Sequence, residues 1–367
     1  MPKMIGIPKE IKPQEGRVAL MPEQVVELVS DGYNVCVEKN AGILSQASND
    51  AYIQAGANLM NNMRDIYEAC DFIVKVKEFM PDEYPLIRAD HILFTNIHSA
   101  GNPELTDILL NKKCTAIAAE DTHQFGSPNC ALAGEVGTFE GIRLCFAQNG
   151  GIGRHFYPHY GSPSIKAAVI GLGNVGRGAL RVLLSLGCEV VGFDISDGIR
   201  YRTEQDWVAH NFTTAPVDDL KDRLGEFDLI INCVMWPKHR EDHLISRDEL
   251  QHLKPTAVIS DISCDEGGAI ETCRATKWEN PTYREEGILH FCVDNIPGSV
   301  PVAASSGYGR SLLPHIRNIQ TNGWMQACRG NPWLARGLVC HNGTLLHAET
   351  GQVQNRIITD AQVFLAE

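Results

Sequence analysis

The chain has 367 residues, 44% hydrophobic and 21% charged, with a formal net charge of −13; this is ordinary globular composition, too long for one core and suited to two domains. The acidic balance and the lack of any Lys/Arg-rich run exclude a phosphate-backbone footprint, so nucleic acid is not an expected partner. No uncharged apolar stretch reaches the roughly 20 residues that cross a bilayer, no signal-peptide core follows Met1, and the twelve cysteines form no CxxC pair, so a cytoplasmic protein with reduced thiols and no membrane partner is expected.

Taken in chain order, Met4–Ile7, Asn34–Glu38, Phe72–Lys77, Ile92–Thr95 and Thr115–Ala118 read as strands, being short, apolar and bounded by turn residues. Pro22–Asp31 and Pro103–Asn111 read as helices with proline in the first turn. Strands alternating with helices imply a parallel, doubly wound sheet. Gly150–Ser162, rich in glycine, histidine and aromatics, reads as a linker or an active-site loop. A second strand–helix series starts at Ser164 and continues through Glu189–Asp194, Asp228–Cys233, Val258–Asp261 and His290–Val293. Beyond about Pro301 the pattern turns helical again at Leu312–Thr321 and Trp324–Arg329, and this tail is expected to pack back on the first domain.

Val169-Ile-Gly171-Leu-Gly173-Asn174-Val175-Gly176 is a GxGxxG between an apolar strand and a helix-compatible stretch, Arg177–Leu186. Alone the motif is weak, but here the strand–turn–helix context is present. Gly171 would make the tight turn, Gly173 would admit a pyrophosphate to the backbone, and Gly176 would let helix and strand pack closely. The next strand ends in Asp194, placed to accept from the ribose hydroxyls and to repel a 2′-phosphate, which favours NAD. Arg200 and Arg202 keep NADP open as the alternative, and a bare tight turn is the bland reading of the glycines. The fold expected is α/β with two doubly wound domains. A Rossmann NAD-binding domain covers 133–301, and a discontinuous substrate domain covers 1–132 plus 302–367.

Arg17, in a charged loop after the first strand, would grip a carboxylate through two parallel hydrogen bonds, unless it is a solvated loop charge. Period-2 geometry puts Lys75 and Lys77 on one face of a strand, facing either an anion in a cleft or, on an edge strand, water. His98 falls just past a strand's carboxyl end, where open α/β sheets place ligands, and suits proton transfer to an imine or ketone; a structural histidine is the alternative. Asp265 follows a strand in an acidic, glycine-rich turn and would orient a base or accept from an amine, or simply serve the turn; Cys264 beside it reads as small filler. Pro158 argues against a helical pairing of His155 with His159, and His239 and His243, which could share a helix face, lack a third ligand, so no metal is expected.

Together these residues resemble the alanine dehydrogenase family, which includes the NAD-binding subunit of transhydrogenase and is related to saccharopine-forming and opine-type dehydrogenases. The resemblance runs over nearly the full chain: Ile5–Glu10 with Glu15-Gly-Arg17-Val, Val74–Glu78, Ile92–Thr95 with His98, Gly134–Gly137, the Gly171 fingerprint, Asp265–Glu271, Cys292–Pro301 and Asn322–Leu338. It implies an active site in a cleft between two domains. Arg17 and Lys77 would hold an oxo-acid, Lys75 would support them, His98 would exchange protons with help from Asp265, and Asn295 would lie near the nicotinamide.

The expected activity is therefore NAD-dependent interconversion of an L-amino acid, alanine first, with its 2-oxo acid plus ammonia, in a homo-oligomer. Several positions depart from the family pattern: Gly134 stands where a serine is usual, 151–161 replaces a Gly-Val-Pro-Gly-type stretch, and Asn174–Ala179, Asp294 and Val302 onward differ. They leave two alternatives. One is an opine- or saccharopine-type enzyme that condenses an oxo acid with an amino acid, with Arg154, His155 and His159 on the larger substrate. The other is a non-catalytic NAD sensor.

Overall fold

The computed structural model of the protein describes residues 4–123, 127–237, 240–264 and 267–366. The chain divides into two compact units, Met1–Pro128 with Gly298–Glu367, and Asn129–Pro297.

In the first unit, β1 (Ile5–Ile7), β2 (Val35–Glu38), β3 (Asn58–Met60), β4 (Phe72–Val74), β5 (Ile92–Thr95) and β6 (Thr115–Ala118) form a parallel sheet in the order β3-β2-β1-β4-β5-β6. Leu338–His341 pairs antiparallel with β6, and Thr344–Leu345 pairs with it in turn, so the C-terminal segment completes this sheet. β1, β4, β5 and β6 are buried throughout, as strands covered by helices on both faces must be. One side packs Val25, Leu28 and Leu312 on Phe94; the other packs Ile66, Leu105 and Leu109 on Leu93. The helix Pro103–Lys112 shows how local sequence sets the boundaries. Asn102 caps it by accepting the Leu105 amide at 3.0 Å, Pro103 occupies the first turn, and Lys113 ends it in the left-handed region.

In the second unit, β7 (Lys166–Ile170), β8 (Glu189–Asp194), β9 (Phe212–Pro216), β10 (Leu229–Asn232), β11 (Val258–Asp261), β12 (Thr282–Glu285) and β13 (Ile288–Phe291) run in the order β9-β8-β7-β10-β11-β13-β12. All pairs are parallel except β12 with β13. Both sheets reverse strand order beside their first strand, between β1 and β4 and between β7 and β10. Ligands of open α/β sheets bind outside the carboxyl ends of the strands at such a reversal.

Some elements differ from the sequence reading. The edge strands β3 and β9 escape a hydrophobic search because their residues are half exposed. The helix read at Leu312–Thr321 extends over Pro301–Asn322 and accommodates Pro314. The departure at Gly134 has a packing cause. A Cβ there would sit 2.0 Å from the Val175 carbonyl oxygen, and one at Gly178 would sit 2.1 Å from that of Ala131. The helix Pro128–Leu144 therefore lies backbone-to-backbone on Asn174–Ser185, and a serine at 134 has no room.

Candidate active site

The expected strand Phe72–Lys77 stops at Val74, and this corrects the picture of two lysines on one strand face. The Lys75 amide still bonds Phe94 across the ladder, but the Val76 amide turns away to donate to Glu10 Oε1 at 2.6 Å. Lys75 is fully buried, with its Nζ 2.5 Å from Glu83 and 3.5 Å from Glu10, and Tyr67 donates to Glu83 at 2.9 Å. It faces carboxylates inside the protein, not a ligand anion. Burial works against its charge, yet Glu10 and Glu83 hold its pKa above the ordinary lysine value. With two carboxylates for one ammonium, burial pushes Glu10 up to about 7 against the pull of Lys75.

Lys77 is half-buried, and its backbone is held from both sides. Its amide lies 3.4 Å from Glu10 Oε1, and its carbonyl accepts the Thr95 hydroxyl at 2.7 Å. Beside it, burial opposes ionisation of Glu78, but Lys77 and then Lys12, at 2.9 Å, bring that carboxyl down to about 2.

Arg17 is 3% exposed and is paired with Glu15 at two points. The loop carrying them is stitched to the start of the helix Pro301–Asn322. Ser305 accepts the Val18 amide at 3.0 Å, and Ser45 links the Gly16 carbonyl to Ser305. Tyr308, one turn along that helix, is fully buried and donates toward the Lys75 carbonyl and Asn96 Oδ1, each at 3.3 Å. Its phenol, raised by burial, also feels the charges of Glu120, Arg17 and Glu10. Tyr308 is thus the point on which the segments after β1, β4, β5 and β6 converge.

His98 follows β5 with φ 50°, a left-handed backbone that non-glycine residues rarely adopt. Glu120, in the turn Ala119–Asp121 after β6, holds it there: the amides of Ile97 and His98 donate to its two carboxylate oxygens at 3.0 and 2.6 Å. The imidazole Nδ1 lies 3.6 Å from Glu120, and the side chain is 53% exposed. Burial raises the Glu120 pKa, with His98 opposing. An exposed, titratable ring beside a half-buried carboxylate is suited to moving protons. Glu120 was missed in the sequence, although acidic residues just past a strand's carboxyl end are the same signal that singled out His98. Glu15, Glu10 and Tyr308 carry no such signal.

In the second unit, Gly171 has φ 86° and lies against Val234 at the strand reversal. A Cβ at Gly176 would be 1.9 Å from the Gly171 carbonyl oxygen, whereas one at Gly173 would meet nothing within 4 Å. Gly173 is therefore bare of protein, at the N-cap of the helix Asn174–Ser185 that Asn174 and Val175 begin. This is the cradle a pyrophosphate needs, with amides and helix dipole facing the anion. Asp194, at the end of β8, accepts the Leu172 amide at 2.9 Å and the Ser196 amide at 2.9 Å. Its charge opposes a 2′-phosphate, and Arg200 is occupied with Asp197 and the Asp194 carbonyl. The residues present fit NAD.

Asn295 lies beyond β13 with φ 65°. Asp265 and His239 lie outside the described residues; His243 bonds the Gly268 carbonyl at 2.7 Å. The Gly150–Ser162 segment is not beside the dinucleotide cradle. Arg154 pairs with Asp228 at 2.8 Å, the Ile165 amide donates to the His155 carbonyl, and Tyr157 packs against Gly187. Those anchors all precede β7, β8 and β10, so the loop covers the amino edge of the sheet, opposite Gly173 and Asp194.

Two family models match the chain: the alanine dehydrogenase/PNT N-terminal domain over residues 6–129 and the C-terminal domain over 148–348. Alanine dehydrogenase of Methanococcus maripaludis is 32% identical over 373 residues, covering 99% of this chain and 100% of that protein. Alanine dehydrogenase of Bacillus subtilis is 34% identical over 349 residues, 93% of this chain and 92% of that protein. A solved L-alanine dehydrogenase superposes with a TM-score of 0.87 at 32% identity, covering 96% of this chain and 99% of the other. Transhydrogenase from Sinorhizobium meliloti shares the fold, with a TM-score of 0.75 at 21% identity over 94% and 99% of the two chains.

Proposed function

The chain belongs to the alanine dehydrogenase/PNT family, and from that premise we propose that it interconverts L-alanine with pyruvate and ammonia. It is an NAD-dependent oxidoreductase acting on a CH–NH2 group. The observation that carries the substrate reading is the convergence around Tyr308. Arg17, Lys77 and His98 follow the carboxyl ends of three adjacent parallel strands, β1, β4 and β5, which supports two cations and one proton-transfer group at one edge of the sheet.

In this reading Arg17 takes the substrate carboxylate and Lys77 the carbonyl or amine, while Lys75 acts through the buried network that holds the Lys77 backbone. Bound NAD, held by Gly171, Gly173, Asn174, Val175, Gly176 and Asp194, supplies the hydride acceptor for Cα. His98 takes the proton from the water that adds to the imine and returns it to the departing amine; Asp265 assists, and Asn295 would serve the nicotinamide end of bound NAD. In the reductive direction the same groups protonate the leaving hydroxyl. Catalysis rests on holding Cα against the cofactor and on setting cations beside developing charge.

Substrate binding falls to the first unit, Met1–Pro128 with Gly298–Glu367, and cofactor binding to the second, Asn129–Pro297, each a few residues from the division at 132/133 and 301/302 expected from the sequence. A cytoplasmic compartment, supported by twelve cysteines outside any disulfide, and a homo-oligomer belong to the same proposal. Among the described residues no helix is long and apolar enough to cross a membrane.

The test is NADH oxidation with pyruvate, comparing ammonia with a panel of free amino acids as amine donor. Rapid turnover with ammonia is expected. Turnover only with an amino acid would move the enzyme to the opine type, and NADH binding without turnover on any substrate would make it a sensor.

A further inference from the structure

The turn after β6 carries two carboxylates in succession, and the first, Glu120, holds the His98 backbone. The second, Asp121, lies 3.1 Å from Nε2 of His347, a buried histidine contributed by the C-terminal segment. On its other side the same ring meets Thr350 twice. Nδ1 lies 2.7 Å from the Thr350 hydroxyl and accepts the Thr350 amide at 3.3 Å. An accepting Nδ1 leaves the proton on Nε2, which donates to Asp121. The Thr350 hydroxyl is 2.6 Å from that of Ser99, and both residues are buried. Ser99 opens the turn whose N-cap is His98, and Gln354 secures the same turn by donating to the Ser99 carbonyl at 2.7 Å. Asp121, His347, Thr350 and Ser99 thus form a chain from the β6 turn to the β5 turn. Glu120 and His98 close it into a ring.

We propose that His347 is a positioning residue for His98, clamping the Ser99 turn to Asp121 and so fixing where the His98 imidazole stands. The proposal rests on the reading of His98 as the proton-transfer group. A left-handed non-glycine backbone persists only where its surroundings hold it, and this ring supplies that hold from both sides of His98. The charged groups facing His347 are Asp121 and Glu120 on the β6 turn and Glu349 on its own helix. Arg336 approaches from the helix Pro332–Arg336, donating to the Asp121 and His123 carbonyls. Burial resists a charged His347, but Asp121 and the other acids outweigh it and hold the pKa above the ordinary value. A second proton, on Nδ1, would expel the Thr350 amide and turn the hydroxyl into an acceptor, so the charge of His347 is felt at Ser99.

The test measures kcat and KM for pyruvate across pH in H347A, H347Q, T350V and H98A beside the wild-type enzyme, with NADH titrations and thermal melts of each. H347A and T350V should lower kcat/KM by about tenfold or more and displace the pKa of its pH profile, with NADH affinity unchanged. H347Q, whose amide still donates to Asp121, should recover most of the loss. T350V removes only the hydroxyl link and carries the test if H347A does not fold. A wild-type pH profile in H347A or T350V, or a loss that follows the folded fraction alone, overturns the inference. H98A with wild-type turnover would remove the role of His98 and the inference with it. An inactive H98A beside an unaltered T350V would overturn the inference alone.

Discussion

The Arg17 guanidinium and the Glu15 carboxylate meet at two points, Nε to Oε1 at 2.7 Å and Nη2 to Oε2 at 2.6 Å, and the Arg17 amide adds a third bond to Oε1 at 2.9 Å. Both side chains are buried. The plane of the guanidinium is therefore set by folding, so a substrate carboxylate bound there, as proposed, would meet an already oriented cation.

Arg17→Lys should lower kcat/KM for pyruvate on the order of 100-fold, because an ammonium cannot reproduce two-point binding. Glu15→Gln should lower it by about tenfold, mostly through KM, since the cation remains and only its orientation loosens. NADH affinity, measured by fluorescence titration, should stay unchanged in both; a comparable loss of NADH binding would show a general disruption.

Two glycines of one motif should fail in different ways. Gly173→Ala meets no protein atom within 4 Å and should melt like wild type, yet bind NADH more weakly by on the order of tenfold, its methyl intruding where the pyrophosphate approaches. Gly176→Ala places a methyl 1.9 Å from the Gly171 carbonyl oxygen and should destabilise the second unit itself. Thermal melts and NADH titrations on the pair separate the two, and a wild-type melt for Gly176→Ala would contradict the packing argument.

Glu78 gives a pH dependence with a definite sign. Its folded pKa, about 2, lies below its ordinary value of 4.5. Its contribution to stability is thus present above about 4.5 and is lost as pH falls through about 2. Glu78→Gln should cost roughly 1–3 kcal/mol at neutral pH, and urea melts should show the gap to wild type closing in acid. A gap constant with pH would mean that the charge of Glu78 is not what stabilises.

Arg154 should prove structural. It shares the buried Asp228 with Lys254, at 2.8 Å each, under the amino edge of the second sheet. Arg154→Ala should lower the melting temperature while leaving the preference between ammonia and amino acids as amine donor untouched. A changed preference would return the 154–160 loop to the substrate.

The strands near the middle of each sheet were readable because β1, β5, β6, β7 and β10 must be apolar on both faces, and the dinucleotide turn because its glycines answer to steric demands that no other residue meets. Lys75 was misplaced because a strand pattern carries no notice of a distant carboxylate. Glu10 draws the Val76 amide out of the ladder, and nothing local to residues 72–77 announces it. Glu15 sits two residues from Arg17, and Glu120 follows a strand end just as His98 does, but sequence does not announce that they pair, and Tyr308 meets Lys75 and Asn96 only in the folded sheet. The 150–162 loop looked functional for its histidines and aromatics, yet composition cannot tell which edge of a sheet a loop will cover.

The first sheet is finished by residues that follow the second unit in the chain. Leu338 pairs with Ile117 and Cys340 with Ala116, and the Arg17 loop is tied to Ser305. During synthesis, then, the β6 edge of the first sheet has no partner until the whole of Asn129–Pro297 has been made. A chain ended at residue 297 would contain all strands of the second sheet and an unfinished first sheet. The capacity to hold NAD would precede the capacity to hold substrate, and an unpaired strand edge would be exposed throughout that interval.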